Sequence, residues 1–195
     1  MLLDQVLPDY HVRAQYQILI PCKRDVVWKT LMDMDLTSIQ TLRLLMGLRS
    51  IPAWLMGKSK PQLKKHTLHD LSDSGMHVIS EVTGSEIVLG INGKFWQLSA
   101  NVRMDIPAER FVSFSENDLA KAAWNFFLSE TNGITTVQTE TRIFCSDPKM
   151  RRKFRLYWTL IGPFSGLIRI ALLRKLRSNT IRYEKKILDT GYAKK

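Results

Sequence analysis

The stretch that most narrows the choice of fold is DPKMRRKFRLYWTLIGPFSGLIRIALLRKLR, from Asp147 to Arg177. Met150, Phe154, Tyr157, Trp158, Ile161, Phe164, Ile168 and Leu172 recur mostly in steps of three and four, the spacing of one helix face. Arg151, Arg152, Arg155 and Arg169 fall largely off that face. Asp147-Pro148 is a start signal: an N-cap acceptor, then a residue with no N–H to leave unpaired. Gly162-Pro163 predicts a kink, because proline removes a backbone bond and crowds the carbonyl four residues earlier. The expectation is one long bent helix with a broad apolar stripe, Trp158 and Ile161 among its most buried residues. The run from Leu156 to Leu173 is near membrane-spanning length, but Arg169, Gly162, Pro163 and Ser165 dilute it and both flanks are basic. No heptad pattern lasts long enough for a coiled coil.

What that stripe lies on is read from the chain before it. His11 to Ile20 alternates as a strand, and Pro21 stops it. Lys23 to Met34 and Leu36 to Arg49 read as two short helices, the second ended by Pro52. Lys58 to Lys65 is a basic, proline-broken loop, and Thr67 to Leu71 fits one capped helical turn. The period then changes to two. Met76 to Val82, Glu86 to Ile91, Phe95 to Met104, Arg110 to Glu116, Ala120 to Ser129 and Ile134 to Cys145 read as strands. Asn92-Gly93 and Asn132-Gly133 are hairpin signals, since both turn residues need positive φ. Such short connections make an antiparallel meander. Trp96, Leu98, Val102, Val137, Thr139, Thr141 and Ile143 mark its apolar side, which the long helix is placed to cover.

The fold class expected is therefore α+β: a seven-stranded antiparallel sheet wrapped around a long kinked C-terminal helix, with two short helices between strands 1 and 2. At 195 residues it makes a single domain, its core from about residue 10 to 177 and a basic tail over 178–195. This layout is that of the helix-grip fold. The stretches VVWKTLMDMDL, LRSIPAWL, EIVLGINGKFW and TETRIFCSDPKMRRKFRLYWTLIGPFSGLIR also resemble the SRPBCC superfamily of START and polyketide cyclase-like proteins, in a bacterial subgroup without assigned chemistry. The resemblance runs from about Tyr10 to Arg177. It implies a cavity between the concave sheet and the C-terminal helix.

Lining that cavity would fall to Trp96, Leu98, Val102, Trp124, Phe126, Thr139, Thr141 and Trp158, with Glu140 and Arg142 as a possible polar anchor for a ligand head group. The same Glu140 and Arg142 read equally as a structural ion pair on the outer face or with Arg103. The function expected is binding or carriage of a hydrophobic small molecule or lipid. The alternatives are a cyclase/dehydratase-like enzyme using Glu140, Arg142 or a tyrosine, and an RNA- or ribosome-associated protein. Tyr157 and Trp158 fall on the apolar side of the helix, which weighs against RNA stacking.

No cofactor is expected and no metal: His66 and His69 lack a third ligand, and His11 and His77 stand alone on strands. Gly90 to Gly93 reads as a hairpin rather than a phosphate loop, and Ser165 is on no nucleophile elbow. Cys22 and Cys145 have neither metal nor redox spacing, which fits a reduced cytoplasmic protein. MLLDQVLPDYHV does not read as a signal peptide. The formal charge is +11, and Lys149 to Lys195 alone carries 14 Lys and Arg against Glu184 and Asp189. That basic segment predicts either a solvated face or peripheral contact with an anionic membrane, at the inner face of the cell membrane, through Arg151, Arg152 and Arg155.

Overall fold

The computed structural model describes residues 1–38, 67–74, 76–94, 101–102, 110–113 and 119–192. In chain order these form α1 (Leu2–Val6), β1 (Val12–Ile20), α2 (Arg24–Asp33), 3-10 turns at Leu36–Ser38 and His69–Ser74, β2 (His77–Val82), β3 (Glu86–Lys94), β4 (Asn101–Val102), β5 (Ala120–Thr131), β6 (Ile134–Cys145) and α3 (Pro148–Tyr192). The architecture is α+β. Five strands make one open antiparallel sheet in the order β1-β6-β5-β3-β2, and the two-residue β4 pairs with the end of β3.

Seven strands were expected, and the described residues differ in two places. Residues 110–113 form a turn instead of starting a strand, and Phe111 is buried. Phe111 packs with Val88 and Ala123, a tertiary contact that alternation along the chain cannot reveal. Asn92-Gly93 is no hairpin either. Asn92 pairs with Lys121, Gly93 pairs with both Ala120 and Val102, and Lys94 still pairs with Asn101. Ladders on both sides override the local turn preference. Most of the strand expected from Phe95 to Met104, the second short helix beyond Ser38, and the side chains of Trp96 and Leu98 lie outside the described residues. For Val102 only the backbone pairing is described.

The β5–β6 hairpin turns as its sequence requires. Asn132 and Gly133 take φ of 52° and 75°, and Thr131 pairs with Ile134 around them. Asp147 caps α3, accepting the Met150 N–H at 2.8 Å. The helix is continuous through Pro163 and runs 45 residues to Tyr192, so most of the expected tail after Arg177 is helix, with Thr180 buried. The N-terminal boundary also shifts: Leu3, Val6 and Leu7 of the α1 segment are core residues.

The main core lies between the inner face of the sheet and the helices. Ile87, Leu89, Phe126, Leu128 and Val137 meet Val27, Trp28 and Leu31 of α2 and Leu172, Leu173 and Leu176 of α3. A second cluster at the other end of α3 joins Met150 and Phe154 to Ala120, Ile143 and Cys145. On the outer face α1 lays Leu3 and Val6 over Val88 and Ala123.

The apolar stripe of α3 is only partly the buried one. Met150, Phe154 and Leu172 are buried, Trp158 is half-buried and stacked on Phe154, and Ile161 and Phe164 are exposed. The central run is apolar nearly all the way round, so spacing cannot choose its face. The face is chosen by close approach: a Cβ on Gly166 would collide with the Tyr16 hydroxyl of β1.

Candidate functional site

Two cross-strand rows occupy the middle of the inner face. One is Tyr16–Thr139–Phe126–Ile87 and the next is Ala14–Thr141–Trp124–Leu89. Ile87, Leu89 and Phe126 of these rows belong to the main core, with Tyr16 and Trp124 packed against it, and the Met150–Phe154 cluster lies toward the start of α3. Here the helix presents Gly166 to Tyr16 and Arg169 to Trp124.

Arg169 is the unusual member. Its guanidinium carbon lies over the Trp124 indole, 3.7 Å from the ring centroid. It donates one long bond, 3.4 Å, to Thr139 Oγ1. That hydroxyl already accepts the Trp124 Nε1–H at 3.0 Å and donates to the Asn125 carbonyl at 2.7 Å. Among the described residues no carboxylate pairs with Arg169. A guanidinium carries five N–H groups in its own plane, and stacking on an indole leaves those edges free to donate. Part of the residue stays accessible to solvent. Even so, burial pushes its pKa down, to about 9, against a pull upward from Tyr16, and it remains a cation at neutral pH.

The outer face holds the contrasting case. Glu140 accepts Arg13 Nε at 2.8 Å, Arg13 Nη2 at 3.0 Å and Arg142 Nε at 2.7 Å. Arg142 also donates to Asp4 Oδ1 at 2.6 Å and to the carbonyl of Leu7 at 3.1 Å. Burial alone raises the Glu140 pKa, but hydrogen bonds from Arg13 and Arg142 and their charge outweigh it and hold it below the usual value. Asp4 is held low by its Arg142 hydrogen bond and by the N-terminal ammonium. Beside this network Glu86 takes the Leu2 and Leu3 amides of α1 and the Asn125 amide. Glu140 and Arg142 are thus not a polar anchor for a ligand under α3. Strand alternation turns them to the opposite side of the sheet, where each other, Arg13, Asp4 and α1 occupy them.

Of the expected lining residues, Trp124, Phe126, Thr139 and Thr141 do share the inner face, while Trp158 sits nearer the Phe154 cluster. Arg169 and Tyr16 were missed. The readable signal was a lone charge inside LIRIALL, which an apolar run on a buried helix does not carry without reason. Two described clefts, each about 340 Å³, lie elsewhere: one between α2 and α3 beside Lys29, Asp33, Lys175 and Tyr183, the other beside Pro148, Lys149, Arg152 and Lys153. Neither is lined by Trp124, Phe126, Thr139, Thr141 or Trp158. Burial pushes the thiols of Cys22 and Cys145 up to about 12 and about 11, which makes both poor nucleophiles. Among the described residues no three of His, Cys, Asp and Glu converge as metal ligands.

No family model matches the chain, and no curated protein does. Among solved structures it is similar to protein MLL2253 from Mesorhizobium loti, at 15% identity over 88% of this chain and 98% of that one, with a TM-score of 0.42. It is also similar to TTHA0849 from Thermus thermophilus, at 10% identity over 88% and 99% of the two chains, with a TM-score of 0.35. Neither name states an activity.

Proposed function

We propose that this protein is a helix-grip member of the SRPBCC type that binds a hydrophobic small molecule or lipid between the inner face of its sheet and α3, and that Arg169 receives the ligand's anionic head group. The observation that carries the reading is Arg169 itself: a cation packed over Trp124 with a single weak hydrogen bond and no carboxylate partner among the described residues. A buried charge without a counter-charge is costly, and an incoming carboxylate or phosphate relieves that cost. Trp124, Phe126 and Leu89 offer the apolar wall beside it. The two described clefts lie elsewhere, and in this reading the ligand enters by lifting the central turns of α3. Those turns contact the sheet through Gly166 on Tyr16 and Arg169 on Trp124.

The test is native mass spectrometry of the protein from its own host, followed by titration with oleate and with lysophosphatidic acid, for wild type, Arg169→Lys and Arg169→Met. The expected result is a bound anionic amphiphile, retained in part by Arg169→Lys and weakened at least tenfold by Arg169→Met, with an unchanged circular dichroism spectrum. Absence of any bound amphiphile, or equal affinity for Arg169→Met, would sink the reading.

A further inference from the structure

The outward side of α3 bears on a different partner. Leu156, Leu160, Phe164 and Leu167 are 73%, 67%, 46% and 55% exposed. Their steps of four, four and three place them on one face, along about 17 Å of helix at roughly 1.5 Å per residue. Pro163 and Ile161 flank them and are exposed too. The same face continues into exposed cations at both ends: Lys149, Arg152 and Lys153 before the apolar stretch, Arg174 and Lys185 after it. From Pro148 to Tyr183 the helix has no acidic residue. The exposed face is therefore basic, then apolar, then basic along its axis.

We infer that this face docks on an anionic lipid bilayer, with Leu156, Leu160, Phe164 and Leu167 entering the headgroup–acyl boundary and the terminal cations lying on the phosphates. Charge complementarity selects this occupant. A second copy packed antiparallel brings Lys149, Arg152 and Lys153 against Arg174 of its mate, and a parallel copy brings like ends together, so both put cations on cations. A bilayer with anionic headgroups supplies apolar depth and negative charge in the same plane. The helix is long and apolar enough to span a bilayer by length and composition. Only 17% of the most apolar 18-residue window is buried, yet Gly166, Leu172 and Leu173 within the run and Met150, Phe154 and Leu176 at its flanks fasten one side of the helix to the protein, a side that lipid cannot reach, so the helix lies on the surface instead. This geometry also revises which arginines matter. Of Arg151, Arg152 and Arg155, only Arg152 belongs to the face. Arg151 is half-buried with its Nε enclosed, and Arg155, one residue before Leu156, is about 100° round the helix.

The experiment is co-sedimentation of the full chain with vesicles of pure phosphatidylcholine and of phosphatidylcholine with phosphatidylglycerol, at about 50 mM and about 500 mM salt (conditions set so that screening changes while lipid does not). Two variants accompany wild type: Leu160→Gln/Phe164→Gln and Lys149→Gln/Arg152→Gln/Lys153→Gln. Binding to the anionic vesicles alone, largely lost at high salt, is expected. The triple charge variant loses on the order of 100-fold in partition, from about 1 kcal/mol per cation. Loss of binding by Leu160→Gln/Phe164→Gln, whose sites are exposed and leave the core alone, supports apolar insertion. No binding to anionic vesicles at low salt overturns the proposal. So does salt-insensitive binding to both vesicle types, which indicates a spanning helix. Dimerisation in light scattering that Leu160→Gln/Phe164→Gln abolishes, without vesicle binding, assigns the face to a second copy and overturns it as well.

Discussion

Replacing Arg142 by Met tests whether the network on the outer face is structural. The side chain of Glu140 is 0% exposed and that of Arg142 6%. The substitution removes the Nε–H bond to Glu140 at 2.7 Å, the bond to Asp4 at 2.6 Å and the bond to the Leu7 carbonyl at 3.1 Å. Among the described residues Glu140 is left with Arg13 alone, whose own side chain is half exposed. Breaking a buried ion pair from one side costs about 3–5 kcal/mol, because the remaining charge stays buried. For a domain whose whole stability is about 5–15 kcal/mol that is a large share. It corresponds to a fall in Tm of roughly 6–20 °C at this chain length. Urea unfolding followed by circular dichroism and tryptophan fluorescence measures it. Removing Glu140 as well, in Glu140→Gln/Arg142→Met, should recover part of the loss, because the stranded charge goes with it. Hydrogen exchange should show α1 released first, since Arg142 holds its C-terminal carbonyl. An Arg142→Met protein with wild-type stability but without ligand binding would refute the argument and return Arg142 to the role of anchor.

Two further outcomes follow from the packing of α3 and from His11. Gly166→Ala should cost about 1–3 kcal/mol by overpacking against the Tyr16 hydroxyl, and Tyr16→Phe should restore much of it. Strictly additive losses in the double variant would mean that the two groups do not meet. The His11 ring accepts the Cys145 N–H at Nδ1, 3.1 Å, and burial first, then Arg151 and Arg155, lower its pKa from 6.5. A lowered folded pKa means that protonation favours the unfolded chain. The contribution of His11 is therefore whole above about pH 6.5 and is lost as pH falls from there through the lowered folded value. An NMR titration in which His11 protonates at or above about 6.5 would contradict this.

Legibility in the sequence followed the range of the interactions. Where the deciding contacts are local, reading and structure coincide. β6 has the expected bounds, Asn132-Gly133 turns the β5–β6 hairpin, and Asp147 caps α3. The Thr67 amide and hydroxyl both bind Asp70, as the capping pattern suggested. Where distant partners decide, the reading failed. Asn92-Gly93 is held extended by β4 and β5, and Phe111 is drawn into a turn by Val88 and Ala123. α1 has only five residues, too few to show a period. At the site, Trp124 and Thr139 were legible by alternation. Arg169 shows in the sequence only as a lone charge in an apolar run, because its meaning depends on the indole across from it. The exposed leucines of α3 are illegible for a related reason: a run apolar on every side gives no clue to which side meets the sheet.

The first strand of the chain completes its pairing with the last. Val12 through Ile20 bond along their length to Ile143 through Thr135, and among the described residues to no other strand. During synthesis at about 5–20 residues per second, β1 therefore waits on the order of ten seconds before its partner exists. For that interval Tyr16, Ile18 and Ile20 are an unmated apolar strand, the kind of segment that finds wrong neighbours. The β5–β6 hairpin, closed by two residues, forms fastest of the pairings, while joining β1 closes a loop of more than a hundred residues and comes late. The order of birth and the order of assembly run in opposite directions, and the N-terminal strand depends most on whatever shelters a nascent chain.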